Sequence, residues 1–338
     1  MVNIRPEGLE IVAFVCIEKK QPSGESARVP LATAFKTVIK GDPDWTGYIV
    51  TAAHVLEGIG DRPLYLRFNT STGFDDIETS RDEWFIHDRA DVAIIRVQWS
   101  TYTLYSVYPE QFIDADYNLH VQKMREAGLI RLPGIVSESP IQIETGNGVV
   151  IIGLFSQHYG VSKSLPVARS GTIARMPSEP VEFAHPGGTY SKAPGYLVEF
   201  QSWGGQSGSP VLVHRELLHL VQMQVHAPQV GDEAPKPHTV WVQSPRSEAF
   251  GLLGLVSGHF DIKQQAQTTE EISGSITTAI NSGIAIVTPA EAVHELLWRD
   301  DVVEDRQKAK DDVTQARAQG HKYATPPPRR ILHSDATE

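Results

Sequence analysis

Three residues whose side chains can do chemistry together lie far apart in this sequence of 338 residues. His54 follows the run "YIVTAA", Asp91 precedes the apolar run "VAIIRV", and Ser207 lies within "GGQSGSP". A serine hydroxyl is a poor nucleophile until a base takes its proton, and imidazole is suited to that task near neutral pH. A carboxylate can hold the imidazole in one tautomer and stabilise its charged form. The three contexts together therefore predict an activated serine.

The loop that carries the serine has an unusual composition. The segment "SWGGQSGSP" contains three glycines and ends at Pro210. Glycine reaches backbone angles that other residues avoid, so the pattern predicts a tight loop of required shape. It does not match the G-x-S-x-G pattern of α/β-hydrolases, in which the serine lies between two such glycines.

The rest of the chain reads as many short β-strands. Runs rich in Val, Ile, Leu and aromatic residues are separated by Gly, Pro, Asp, Asn or Ser. The clearest helical pattern is "PAEAVHELLWRDD", which begins at Pro289. Such a density of strands without alternating helices predicts barrels or a sandwich, not a parallel α/β sheet.

The order His54, Asp91, Ser207 separates this chain from the other folds that use the same three residue types. α/β-Hydrolases run Ser, Asp, His and subtilisins run Asp, His, Ser. With "TAAHVL", "DVAIIRV" and "GGQSGSP", the sequence resembles the chymotrypsin-like (trypsin-fold) serine peptidases over roughly residues 10–298. The resemblance implies an all-β fold of two six-stranded antiparallel barrels, with a serine endopeptidase site in the cleft between them. It further implies an oxyanion hole formed by the backbone N–H groups of Gly205 and Ser207.

The resemblance also divides the chain. We expect an N-terminal barrel carrying His54 and Asp91 over residues 1–105 and a connection over residues 106–145. A C-terminal barrel carrying Ser207, followed by a helix, is expected over residues 146–299. Residues 300–338 are dense in charge and poor in apolar residues, which predicts a frayed helix and a disordered tail.

Two positions depart from the digestive members of the family. Gln206 stands where those enzymes carry the aspartate that receives a freshly cut N-terminus, and an amide cannot pair with an ammonium as a carboxylate does. The first strand begins close to Met1, so no activation by N-terminal cleavage is expected. In this respect the chain resembles bacterial HtrA-type and glutamyl peptidases, although no PDZ domain follows. Ser209 stands where many members have glycine, and the glutamyl peptidases also have serine at this position.

Substrate contacts follow from the same resemblance. Gln201 falls where trypsin has its acidic pocket residue, so a preference for Arg or Lys is not expected. Ser257 should lie near Asp91, and Ser257, Gly258 and His259 should pair with the substrate backbone. His259 and Gly283 should flank the pocket, where the histidine would either favour acidic side chains or lie exposed on a loop.

Composition limits the partners. The formal net charge of −11 disfavours nonspecific binding to nucleic acid or to an anionic membrane surface. The single cysteine, Cys16, excludes an internal disulfide and favours the cytoplasm, and no signal peptide or membrane span is recognisable. No cofactor or metal is expected. The expected partners are a protein or peptide substrate and a regulatory protein that acts through the loops 224–248 and 261–278 or the C-terminal tail.

Three other interpretations stay open. The first is a catalytically silent pseudoprotease that serves as a binding or scaffold module. The second is a metal hydrolase, although the pairs His214/His219 and His226/His238 match no H-E-x-x-H or C-x-x-C spacing. The third is a nucleic-acid contact through "PPPRRI" in the tail, which lies beside an acidic run.

Overall fold

The computed structural model describes most of the chain. The described residues are 6–39, 46–60, 62–70, 72–97, 106–107, 143–184, 190–201, 204–217, 220–226, 237–243, 247–265, 277–319 and 331–333. Most of the expected connection between the two halves, residues 108–142, lies outside these ranges.

One antiparallel sheet forms from strands of the N-terminal half of the chain and one short strand of the C-terminal tail. Its order is β18-β5-β4-β1-β2-β3-β7-β6, and two 3-10 helices, Pro6–Ile11 and Arg81–Glu83, flank its strands. The strands are β1 (Val12–Lys20), β2 (Ser26–Ile39), β3 (Thr46–Thr51), β4 (Leu64–Asn69), β5 (Phe74–Thr79), β6 (Phe85–Ile86), β7 (Ala93–Val97) and β18 (Ile331–His333).

The C-terminal half contains a closed barrel in the order β12-β17-β16-β13-β8-β9, and β10-β11 and β14-β15 form two separate hairpins. The strands are β8 (Gly148–Gly153), β9 (Val167–Arg175), β10 (Pro180–Ala184), β11 (Tyr190–Pro194), β12 (Tyr196–Glu199), β13 (Pro210–Leu217), β14 (Leu220–His226), β15 (Pro237–Gln243), β16 (Ser247–Gln265) and β17 (Thr277–Pro289).

This architecture matches the sequence-based expectation in part. The fold is mostly β, and its closed barrel has the six strands expected of one chymotrypsin-like barrel. The expectation of a second closed barrel is not confirmed. In the N-terminal half the described strands leave β5 and β6 at opposite ends of the pairing order, and the tail strand β18 pairs with the edge of β5.

Three helices are described: α1 (Ala53–Ile59), α2 (Ala290–Leu297) and α3 (Asp300–Ala318). Helix α2 begins directly after Pro289, where the sequence predicts it. From residue 300 the sequence predicts a frayed helix, and the structure has a helix there, α3, with 19 residues and an anchored N-terminal part. Arg306 is buried and donates to Tyr48 Oη and to the carbonyl of Leu297.

One hydrophobic cluster extends across both halves, and a second lies within the closed barrel. Apolar residues of the closed barrel, among them Val150, Ile152 and Leu212, belong to the same buried cluster as the core of the N-terminal sheet. Val293 and Leu297 of α2 are part of that cluster too. Burial of apolar surface is the main stabilising contribution, so the halves are held against each other along this contact.

The two long polar segments are partly strands. The hairpin β14-β15 occupies much of the expected loop 224–248, and β16 and β17 extend into the expected loop 261–278. Residues 227–236 and 266–276 lie outside the described ranges. None of the described helices has the length and apolar character needed to cross a membrane.

Candidate active site

His54 and Asp91 meet because their strands are antiparallel neighbours. His54 follows the end of β3, and Asp91 precedes the start of β7. Strands β3 and β7 pair antiparallel with Thr51 opposite Ala93, so the end of one strand and the start of the other share an edge of the sheet.

Two hydrogen bonds join these residues. His54 Nδ1 lies 2.7 Å from Asp91 Oδ2, and the His54 backbone N–H donates to Asp91 Oδ1 at 2.9 Å. The first N–H groups of a helix have no partner inside it, and Ala52, at the N-cap of α1, supplies no side-chain cap. Asp91 therefore satisfies one of these N–H groups and orients the imidazole with the same carboxylate.

The turn before Asp91 is organised by His87. Its Nδ1 accepts hydrogen bonds from the backbone N–H groups of Arg89 (3.1 Å) and Ala90 (3.0 Å). Since Nδ1 is an acceptor, the ring proton of neutral His87 is on Nε2, which donates to Glu295 Oε2 in α2 at 3.1 Å. The position of Asp91 thus depends on a contact between the N-terminal sheet and a helix 208 positions away from His87.

Asp91 is only 4% exposed, yet it stays ionised. Burial raises the pKa of the carboxyl group, but the hydrogen bonds and charge of His54 outweigh burial and hold this pKa below its ordinary value. Ser257 also helps to lower the pKa of Asp91. Ser257 Oγ lies 2.6 Å from Thr288 Oγ1, so the two hydroxyl groups share a hydrogen bond.

Ser207 completes the chain of hydrogen bonds from the other half of the protein. His54 Nε2 lies 2.9 Å from Ser207 Oγ. With Nδ1 donating to Asp91, Nε2 of the neutral ring is an acceptor and receives the serine proton. The structure therefore brings together the three residues that the sequence singled out, in the arrangement that general-base activation of a serine needs.

The serine loop owes its shape to two glycines with positive φ, Gly205 (95°) and Gly208 (81°). Gly208 N–H donates to the Val256 carbonyl, and Val256 N–H donates to the Ser209 carbonyl, which fixes the loop against β16. Within the described part of the chain, the N–H groups of Gly205 and Ser207 donate to no acceptor. They are the two groups expected to form the oxyanion hole.

A cavity of about 540 Å³ contains two of the expected substrate-binding residues, Gln201 and Gly283. Glu199 lines it too, although the sequence analysis did not select that residue. Alternation along an extended chain could have found it, because residues two apart point to the same side. Because the exposed Glu199 lies two positions before Gln201, Gln201 by itself does not exclude a basic substrate side chain.

The remaining expected contacts lie on β16. Gly258 and His259 pair with Ile286 and Ala285 of β17, and His259 is exposed. Gln206 is buried directly before Ser207, where an uncharged amide avoids the cost of an unpaired buried charge. Among the described residues, no group of three or more His, Cys, Asp or Glu side chains could hold a metal ion.

No protein-family model matches the chain, and no curated protein matches it. The fold is similar to crystal structures of the Rv3671c protease. Its inactive form is 15% identical, with a TM-score of 0.35, and the match covers 86% of this chain and 88% of that chain. The active form from M. tuberculosis is 16% identical, with a TM-score of 0.36, and the match covers 86% of this chain and 82% of that chain.

Proposed function

We propose that this chain is a serine endopeptidase with His54, Asp91 and Ser207 as its catalytic residues. One observation carries the proposal: a continuous line of hydrogen bonds runs from a buried carboxylate through an imidazole to a serine hydroxyl, at 2.7 Å and 2.9 Å. Each member is in the state that the chemistry requires, since Asp91 is ionised and His54 Nε2 is positioned to accept.

The reaction would follow the double displacement of serine peptidases. Ser207 Oγ attacks the scissile carbonyl as its proton moves to His54 Nε2, and Asp91 stabilises the imidazolium. Gly205 N–H and Ser207 N–H stabilise the negative charge on the carbonyl oxygen. His54 then protonates the leaving amine as the C–N bond breaks. Water, deprotonated by His54, releases the acyl group from Ser207 in the same way.

Strand β16 favours an extended peptide as the substrate. Strands recognise extended peptides through their main-chain groups, and β16 carries the residues that the family resemblance assigns to that role. We therefore assign Ser257, Gly258 and His259 to backbone pairing with the substrate. Gln201 and Gly283, which line one cavity, are assigned to side-chain selection.

The test is active-site labelling combined with product analysis. The wild-type protein and Ser207→Ala are incubated with a fluorophosphonate probe and, separately, with a peptide library derived from a proteome. We expect labelling at Ser207 and new peptide ends by mass spectrometry for the wild type, and neither for Ser207→Ala. Absence of labelling and cleavage in the wild type would support the second candidate, a silent trypsin-fold scaffold.

A further inference from the structure

Thr33 connects the N-terminal sheet to the serine loop of the C-terminal barrel. It lies in β2 and is fully buried. Its backbone N–H donates to the Ser207 carbonyl at 3.0 Å, and its hydroxyl donates to the Gly205 carbonyl at 2.9 Å. The same hydroxyl accepts from the Leu154 N–H at 2.8 Å, and the Thr33 carbonyl accepts from Thr51 Oγ1 at 2.8 Å.

The two hydrogen bonds of the Thr33 hydroxyl allow its proton only one direction. Leu154 N–H can only donate, and the Gly205 carbonyl can only accept, so the single hydroxyl proton must point at Gly205. The buried hydroxyl thus ties the serine loop to the residue that follows β8. A methyl group in its place would leave a carbonyl and an N–H group of this buried contact without partners.

The neighbouring packing gives the loop little room to adopt another shape. A Cβ atom on Gly205 would lie 2.6 Å from Leu154 Cδ2, and one on Gly208 would lie 2.1 Å from the Thr33 carbonyl oxygen. Contacts under 3.0 Å require something to shift. The loop is therefore pressed against Leu154 on one side and Thr33 on the other, and the Thr33 hydroxyl supplies the directional contact to Gly205.

We propose that Thr33 is a positioning residue that fixes the peptide group between Gly205 and Gln206. Through the backbone of Gly205 it thereby sets the direction of the N–H group that Gly205 contributes to the oxyanion hole. This inference rests on the proposed peptidase function. It makes the docking of the N-terminal sheet against the barrel a requirement for transition-state stabilisation, in addition to its role in bringing His54 to Ser207. Thr33 itself touches no reacting atom.

Two substitutions isolate the hydroxyl. Thr33→Val has nearly the same shape but lacks the hydroxyl, whereas Thr33→Ser keeps it and loses only a methyl group. Both variants retain the hydrogen bond from the backbone N–H of residue 33 to the Ser207 carbonyl, so this contact between the N-terminal sheet and the serine loop is preserved. Circular dichroism and thermal unfolding check that both variants are folded.

The measurements are kcat and KM for a peptide cut by the wild type, and the second-order rate of fluorophosphonate labelling, whose phosphoryl oxygen occupies the oxyanion hole. We expect Thr33→Val to lower kcat and the labelling rate about 10- to 100-fold, less than the roughly 10²–10³-fold cost of losing a donor outright. KM and the midpoint of the acid limb of kcat should stay near the wild type, since His54 and Asp91 are untouched. Thr33→Ser should restore both rates.

The outcomes separate this inference from the proposed function. If wild-type cleavage and labelling depend on Ser207 but Thr33→Val equals Thr33→Ser in kcat and labelling rate, the inference is wrong and the peptidase function stands. If the wild type shows no Ser207-dependent activity, the proposed function fails first. Should Thr33→Val not accumulate as folded protein, Thr33→Ala replaces it in the comparison with Thr33→Ser, with the same order expected.

Discussion

His54 Nε2 lies 2.9 Å from Ser207 Oγ, although 153 positions separate the two residues. His54 belongs to the helix that follows β3 of the N-terminal sheet, and Ser207 to the loop that precedes β13 of the closed barrel. No element within either half could produce this contact. The proposed chemistry therefore depends on the shared core that holds the halves together.

Asp91→Asn is expected to lower kcat by about 10⁴-fold, the loss seen when the aspartate of a serine-peptidase triad becomes an amide. The amide no longer stabilises the imidazolium and favours the wrong tautomer of His54. The measurement is kcat on a peptide substrate, and the control is Asp88→Asn, since Asp88 is 81% exposed and outside the triad. Equal kcat values for the two variants would contradict the role assigned to Asp91.

The same substitution predicts a pH dependence of stability. Burial raises the pKa of Asp91, but the contacts with His54 lower it by more, so the folded-state value lies below the ordinary one. The resulting stabilisation is complete above the unfolded-state pKa of about 3.9 and is lost as the pH falls through the folded value.

We expect the difference in unfolding free energy between the wild type and Asp91→Asn to begin to shrink below about pH 5, where the unfolded-state carboxyl starts to bind protons, and to go on shrinking as the pH falls. Denaturant unfolding of both proteins, continued to the lowest pH at which they remain folded, measures it. If the difference in unfolding free energy grew as the pH fell, the folded-state pKa of Asp91 would have to lie above its unfolded-state value, contrary to this prediction.

Gly208→Ala is expected to destabilise the protein more than Gly24→Ala. Both glycines have similar positive φ, 81° and 88°, but an added Cβ meets the Thr33 carbonyl at Gly208 and nothing within 4 Å at Gly24. The left-handed backbone costs about 1–2 kcal/mol at each position. Crowding at Gly208 adds about 1–3 kcal/mol.

Unfolding free energies measure this difference, and fluorophosphonate labelling of Ser207 reports the loop geometry. Gly24→Ala should label at the wild-type rate, and Gly208→Ala much more slowly. If the two variants are equally stable and equally reactive, the tight approach of Gly208 to β2 has no energetic consequence.

His87→Ala is expected to lower kcat roughly 10- to 100-fold, because a catalytic group displaced by about 1 Å can cost 10²-fold. His87 holds two backbone N–H groups of the turn that carries Asp91. Glu295 is 57% exposed and contacts His87 and the exposed Arg89 from outside the turn, so Glu295→Ala should have a much smaller effect. Larger loss of kcat in Glu295→Ala than in His87→Ala would contradict this account of the turn.

Cys16 is expected to be unreactive in the folded protein. It is fully buried, and burial raises the pKa of its thiol to about 12, so almost no thiolate is present at pH 8. Iodoacetamide should modify Cys16 only after denaturation, which also serves as the positive control. Rapid modification of the native protein would show that this part of the N-terminal sheet opens.

Much of the site was predictable because its signals are local. Each signal lies within a few adjacent positions: the glycines of the serine loop, the small residues before His54 and the apolar run after Asp91. Helix α2 was predictable for the same reason, since Pro289 and an apolar face are contained within one short segment. The anchoring of the N-terminal part of α3 was not predictable from the local sequence, because Arg306 bonds to a partner, Tyr48, that is 258 positions away.

By itself, the sequence determined the residue types, their order along the chain, the β-rich architecture and the tight serine loop, all of which depend on neighbouring residues. Only the tertiary structure decided that Thr33 holds Gly205, that His87 supports Asp91, that Glu199 lines the cavity and that β18 pairs with β5. Periodicity shows which face of a strand is buried. It does not specify which distant strand or side chain will cover that face, because that depends on how all the elements pack together.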